Sequence, residues 1–196
     1  LGTLGIFREL LPARMSADDR TTVVGHLDML AGVREGCAAL ARSADRVTLE
    51  ELRIDRGEIA LMQDRSGYEG PDAVRDRPDP APGELAELLP REAEAALRDN
   101  WAKESLLDEA TADRLIALSR LRGSLDAVLG EARALVAGAP AERALDELVA
   151  VCRAVEAYGL RDFEVHLGIA RGLTFYTGCI FEILQPAAEG GKKYGG

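Results

Sequence analysis

The period of the apolar residues constrains this chain more than any other feature, because it changes once, late in the sequence. Up to Tyr158 the apolar positions recur every three or four residues, and from Phe163 they alternate. The first spacing puts one face of a helix against a core and the second puts one face of a strand there. The chain therefore reads as α+β and helix-rich, with its strands gathered towards the C-terminal end.

Leu4, Ile6, Phe7, Leu10 and Leu11 form a narrow apolar face closed by Pro12. Ser16 and Asp19 have the spacing of a capping box, and Val23, Leu27, Leu30, Val33, Cys37 and Leu40 then mark one face of a long helix. Gly25 or Gly32 is where that helix would break, if it is not continuous. Thr48 is expected to cap a short helix with Leu49 and Leu52, and a second piece near Glu58 to Gln63 carries Ile59 and Met62. Residues 66–83 hold Gly67, Gly70, Pro71, Pro78, Pro80, Pro82 and Gly83, the composition of a solvated loop at a subdomain boundary. Helical spacing resumes over residues 84–100, with Pro90 as a break, and continues over 111–121, 124–136 and 140–158. Pro140 suits a first helical turn and Gly159 a C-terminal stop.

Phe163, Val165 and Leu167 alternate with Glu164, His166 and Gly168, the pattern of a half-buried strand. Residues 171–184, RGLTFYTGCIFEIL, read as a second strand, with Gly172 and Gly178 allowing a bulge or the close approach of a ligand. The ending EGGKKYGG is mobile by composition. The expected organisation is helices over 1–65, a linker at 66–83, a helical subdomain at 84–158, and strands with a flexible tail over 159–196.

Composition narrows the function. The 196 residues are enough to bury a core, and 47% hydrophobic content excludes a disordered chain. The 24 Lys and Arg against 34 Asp and Glu give a net charge of −10, which opposes autonomous binding to a phosphate backbone. No run of about 18 apolar residues marks a membrane span and nothing has a signal-peptide pattern, so a cytoplasmic location is expected. The chain begins with Leu1 rather than Met, which suggests a fragment whose missing start can carry a targeting signal. Cys37, Cys152 and Cys179 are odd in number with no CxxC pair, and read as buried thiols in a reducing compartment. His26 and His166 have no partner motif and read as surface or core histidines, so no metal site is expected. The acidic pairs Asp18/Asp19 and Glu50/Glu51 read as solvated helix charges, and Trp101 as an anchor of helix packing. No GxxxxGK[ST] loop is present for a nucleotide phosphate.

Unusual residue types concentrate between Arg171 and Glu182. An arginine beside a glycine can present its guanidinium to an open cleft, with the geometry that pairs phosphate or carboxylate. Tyr176 offers a hydroxyl to a polar ligand, and Thr177 and Gly178 shape the turn. On spacing alone the segment fits a structural strand or a ligand site.

ARGLTFYTGCIFEI also resembles the histidine-binding signature of histidyl-tRNA synthetases and of their noncatalytic relatives, the regulatory subunits of ATP phosphoribosyltransferase. The usual pattern is approximately VRGLDYYTGxVFE, matched by Arg171, Gly172, Leu173, Tyr176, Thr177, Gly178, Phe181 and Glu182. The opening LGTLGIFRELL is similar to an LGHxGIFRALL-like segment upstream in both families. The resemblance implies part of a class II aminoacyl-tRNA synthetase core, an antiparallel sheet with flanking helices and an inserted helical subdomain. It implies that Arg171 contacts the α-phosphate of ATP during attack by the histidine carboxylate. It implies that Tyr176 hydrogen-bonds the histidine imidazole, in a pocket completed by Gly172, Phe175, Thr177 and Gly178. Two departures stand out: Thr174 replaces an aspartate and Phe175 a tyrosine. GGKKYGG, with Gly190, Gly191 and Tyr194, is at best a degenerate form of the GGRYDxL motif that follows in the family. The class II arginines of motifs 2 and 3 are not recognisable in this sequence.

Three functions stay open on this reading. The first is a dimeric parent that activates histidine with ATP and Mg2+ and transfers it to tRNA, the present segment alone being inactive. The second is a histidine-sensing regulatory subunit of ATP phosphoribosyltransferase. The third is a noncatalytic helical interaction domain.

Overall fold

Four helix starts among the described residues are set by single side chains. Thr3 accepts a hydrogen bond from the Gly5 amide at 3.2 Å, Asp108 from Thr111 at 2.8 Å and Ser124 from Ala127 at 3.4 Å. The Ser16 hydroxyl accepts from the Asp19 amide at 3.1 Å and donates to the Asp19 carboxylate at 2.7 Å. Each cap satisfies an otherwise orphaned amide and is worth about 1 kcal/mol.

The computed structural model describes residues 2–42, 82–169, 178–184 and 193–195. In chain order these form β1 (Gly2–Thr3), α1 (Leu4–Leu10), α2 (Ala17–Arg42), α3 (Pro82–Lys103), α4 (Glu109–Arg120), β2 (Arg122–Gly123), α5 (Leu125–Val136), α6 (Ala141–Ala157), β3 (Val165–His166), β4 (Cys179–Ile180), β5 (Glu182–Leu184) and β6 (Lys193–Gly195). The described part is mainly helical, with three short antiparallel strand pairs: β1 with β4, β2 with β3, and β5 with β6.

The helices pack as α2 along α3 on one side and α5 with α6 on the other, with α4 touching α2, α3 and α5. α1 lies on α6. One core joins them, containing Phe7, Leu27, Leu30, Leu97, Trp101, Leu115, Leu118 and Leu145, all essentially inaccessible to solvent. Trp101 anchors packing as expected, and its indole N–H donates to His26 Nδ1 at 3.0 Å. That bond pairs a buried donor with a buried acceptor and places His26 in the core.

Several boundaries differ from the sequence pattern. α2 runs unbroken through Gly25 and Gly32, whose missing side chains face open space. The cost of about 1 kcal/mol per helical glycine is outweighed by the apolar face on the other side. α3 begins at Pro82, inside the segment expected to be loop, and continues through Pro90. A proline at a helix start loses no intrahelical bond. The expected short helices near Thr48 and over 58–63, and most of the 66–83 linker, lie outside the described residues. In the expected mobile tail, residues 193–195 pair with β5, whose edge offers unpaired backbone groups. The three cysteines are free: Cys37 and Cys152 are buried, Cys179 is half-buried, and burial pushes all three thiols up.

A charged network crosses the junction of α2, α3 and α4. The Glu94 carboxylate is nearly inaccessible; it accepts from Arg34 Nη2 at 2.7 Å and from Arg120 Nε at 2.9 Å, with a further bond from Arg120 Nη2. Arg34 Nη1 donates to the Ser119 hydroxyl at 2.9 Å, and that hydroxyl donates to the Ile116 carbonyl at 2.8 Å. Burial alone would raise the Glu94 carboxyl, but the hydrogen bonds from Arg120 and Arg34 hold it below the usual carboxylate range. A carboxyl depressed on folding stabilises the fold above its unfolded value of about 4.3. That contribution is lost as pH falls through the lower folded value. Glu94→Gln keeps the shape and removes the charge, leaving two guanidinium groups facing each other. Urea denaturation at pH 7 is expected to show a loss of about 3 kcal/mol. A loss below about 1 kcal/mol, the scale of exposed pairs, would show that the network is not an effective buried one.

Candidate functional site

The segment with the candidate chemistry is held at both ends by short strand pairs. β3 precedes it and pairs with β2, Arg122 opposite His166 and Gly123 opposite Val165. β4 follows it and pairs with β1, Gly2 opposite Ile180 and Thr3 opposite Cys179. β1 also reaches β3: a side chain on Gly2 would lie 2.6 Å from the His166 carbonyl oxygen. The two sequence segments that resemble one family, LGTLGIFRELL and ARGLTFYTGCIFEI, thus come side by side at Gly2.

Of the expected site residues, Arg171, Gly172, Phe175, Tyr176 and Thr177 lie outside the described residues, as does Thr174. Gly178 is described and exposed, and nothing lies within 4 Å of where its side chain would start. Beyond it, Ile180 is buried, Phe181 is exposed and Glu182 is half-buried opposite Gly195.

The entry strand departs from the expected alternation. Val165, His166, Leu167 and Gly168 are all buried, because the backbone on both sides comes too close to leave a solvated face. The Leu167 amide donates to the Leu121 carbonyl at 3.0 Å, and a side chain on Gly168 would lie 2.5 Å from the Ser119 carbonyl oxygen. Only glycine fits there. Gly168→Ala forces the end of α4 away from the strand. Thermal or urea unfolding should show a loss of about 2 kcal/mol; a neutral effect would mean that this approach is readily relaxed.

Polar residues that no local pattern links meet around this strand. Arg122 bonds Glu164 through Nε at 2.8 Å. His166 Nδ1 is 3.9 Å from Glu35 Oε1 of α2. Burial first, then the Arg122 guanidinium, push the imidazole below its ordinary value, while Glu35 and Glu164 pull it up. The Arg122 bond holds the Glu164 carboxyl down. Glu35, Arg122 and Glu164 are too far apart in sequence for spacing to reveal the cluster. Among the described residues no group of three or more His, Cys, Asp or Glu side chains is placed to hold a metal ion. No described helix is long and apolar enough to cross a membrane.

The family model described as histidyl-tRNA synthetase matches residues 72–196. The histidine–tRNA ligase of Pyrococcus furiosus is 34% identical over 98 residues, 50% of this chain and 23% of the ligase. The ATP phosphoribosyltransferase regulatory subunit of Chromohalobacter salexigens is 45% identical over 94 residues, 43% of this chain and 23% of that subunit. The subunit of the same name from Anaeromyxobacter dehalogenans is 33% identical over 167 residues, 83% of this chain and 44% of the subunit. The chain thus spans less than half the length of these curated relatives. No solved structure matches it.

Proposed function

We propose a function that starts from family, since this chain belongs to the histidyl-tRNA synthetase family: it is part of a class II synthetase-like core whose parent binds histidine through residues 171–178. The retained sequence Arg171-Gly172-Leu173 with Tyr176-Thr177-Gly178 carries this reading. The pairing of β1 with β4 supports it, because it sets both family-like segments at one place. The three antiparallel pairs with helices around them are consistent with the edge of such a sheet, and 84–158 with an inserted helical subdomain.

On this reading Tyr176 hydrogen-bonds the histidine imidazole, with Gly172, Phe175, Thr177 and Gly178 around it. A pocket whose polar group would be left unpaired by an apolar analogue discriminates strongly. Arg171 serves the chemical step. A histidine carboxylate oxygen attacks the α-phosphorus of ATP, the bond from that phosphorus to the α,β-bridging oxygen breaks, and pyrophosphate leaves. Negative charge grows on the phosphoryl oxygens as this happens, and a guanidinium already in place stabilises it. Magnesium accompanies ATP in such a parent; the described residues include no group to which it is assigned. Homodimerisation, transfer to tRNA and a cytoplasmic location belong to the same proposal.

A second reading has its own support. Thr174 and Phe175 replace a carboxylate and a hydroxyl of the synthetase pattern, and the match to the Anaeromyxobacter dehalogenans regulatory subunit covers 83% of this chain. The same pocket would then sense histidine in a regulatory subunit of ATP phosphoribosyltransferase.

Histidine-dependent ATP–pyrophosphate exchange in the full-length parent separates the two. Exchange that requires histidine and disappears in Arg171→Ala, with thermal stability nearly unchanged, is the outcome for an activating enzyme. Histidine binding without exchange is the outcome for a sensor, and neither activity leaves a structural relative. In both functional readings Tyr176→Phe should weaken histidine binding about tenfold, the scale of one lost hydrogen bond. Unchanged affinity by calorimetry would remove Tyr176 from the imidazole contact.

A further inference from the structure

We propose that Arg34 and Ser119 are positioning residues for the candidate site: the bond between them fixes the last turn of α4, and that turn is the seat of β3, the strand leading into residues 171–178. The consequence for histidine rests on the reading of residues 171–178 given above; the seat itself does not.

Consecutive residues, Ser119 to Arg122, make the seat. The fully buried Ser119 hydroxyl accepts from Arg34 Nη1 at 2.9 Å and donates to the Ile116 carbonyl at 2.8 Å. The Arg120 guanidinium is bonded to Glu94. The backbone of the same turn meets β3. The Ser119 carbonyl oxygen lies 2.5 Å from where a Gly168 side chain would begin, and the Leu121 carbonyl accepts from the Leu167 amide at 3.0 Å. Arg122 then pairs with His166 across β2 and β3, and its guanidinium bonds Glu164. Side chains thus tie this turn to α2 and α3, while its carbonyls and β2 tie it to the strand.

A tie is needed at this place. The last carbonyls of a helix have no intrahelical partner, so its final turn is the part least constrained from within. At Gly168 backbone meets backbone, and no side chain lies between them to absorb a shift. Arg34 reaches the turn from 85 residues away, and its guanidinium divides its work. Nη2 holds Glu94 of α3 and Nη1 holds Ser119 of α4, a use of the rigid fork that the single ammonium of a lysine does not reproduce. Without Arg34 the Ser119 hydroxyl keeps only its bond to Ile116, and the turn loses its tie to α2. Arg171 is the second residue after Ile169, so the footing of β3 bears on the residues assigned to histidine and ATP.

Amide exchange at Leu167 reads the seat with no ligand present. Followed by NMR in the full chain, it is expected to quicken about three- to tenfold in Ser119→Ala, the scale of one lost hydrogen bond, with a smaller change at Leu27 inside α2. Arg34→Met removes the guanidinium and keeps most of its stem, and should quicken Leu167 as well. The double variant should be no faster than Arg34→Met, because both changes break one bond. Unchanged exchange at Leu167, an equal change at Leu27, or additive effects would overturn the proposal. If Arg34→Met does not fold, the comparison of Leu167 with Leu27 in Ser119→Ala decides alone. In the full-length parent, calorimetry should show histidine binding weakened by a similar factor in Ser119→Ala, with the melting temperature nearly unchanged. Quickened exchange with unchanged histidine affinity would refute the role in the site. A parent that binds no histidine, with Leu167 behaving as expected, would refute the reading of residues 171–178 and leave the seat standing.

Discussion

A carboxylate out of reach of solvent must be neutralised where it lies, and in this chain that requirement falls on Glu94 and binds three helices. Apolar packing between α2, α3 and α4 has little directional content, so it would tolerate some sliding of one helix along another. The bonds from Arg34 and Arg120 to Glu94 do not, because guanidinium–carboxylate pairs are geometrically exacting. The network therefore contributes register more than net energy. Replacing such groups together by well-packed apolar residues is often neutral in stability, whereas removing one member leaves buried charge. α2 and α3 are separated in sequence by residues 43–81, so no short turn fixes their alignment, and a cross-helix constraint takes that role.

The same network continues towards the candidate site. Arg34 holds the Ser119 hydroxyl, and the carbonyl of Ser119 closes over Gly168. One residue earlier, the Leu167 amide is bonded to Leu121. The entry strand is thus positioned from α2 through the last turn of α4, with no side chain between the two backbones at Gly168. On the far side of the motif, β4 is positioned from the chain's beginning through β1. The described strands on either side of this segment, β3 and β4, are thus anchored at two points that share Gly2 as a neighbour.

Much of the helical fold was legible because its determinants are local. The spacing of Val23, Leu27, Leu30 and Val33, the Ser16 cap and Gly159, which adopts a φ of +88°, all act within a turn or two. What spacing could not convey was whatever depends on a distant backbone. Gly25 and Gly32 looked like breaks because the packing that sustains α2 lies on its opposite face. His166 and Gly168 looked outward-facing because alternation assumes one solvated face, and here backbone comes close on both. Glu94, Arg34 and Arg120 look like ordinary surface charges in the sequence, since their partners are 26 and 60 residues away. The candidate site shows the reverse balance. Its residue types were legible as a motif, whereas the neighbourhood of β1, His166, Glu35 and Arg122 emerges only from the fold.

The two functional readings place opposite demands on one pocket, and that difference is physical. A sensor requires affinity for histidine as it stands, so the contact assigned to Tyr176 is sufficient. An activating enzyme gains rate only from interactions stronger in the transition state than in the ground state, and in this segment Arg171 is the group suited to that. Replacement of a carboxylate by Thr174 and of a phenol hydroxyl by Phe175 bears on recognition of the bound amino acid, which both readings need. Retention of Arg171 bears on developing phosphoryl charge, which only one needs. The net charge of −10 adds a constraint on that reading: tRNA contact requires positive surface, which has to come from a local patch or from the rest of the parent. An exchange assay asks about Arg171 without invoking tRNA at all, so chemistry can be judged before nucleic-acid binding.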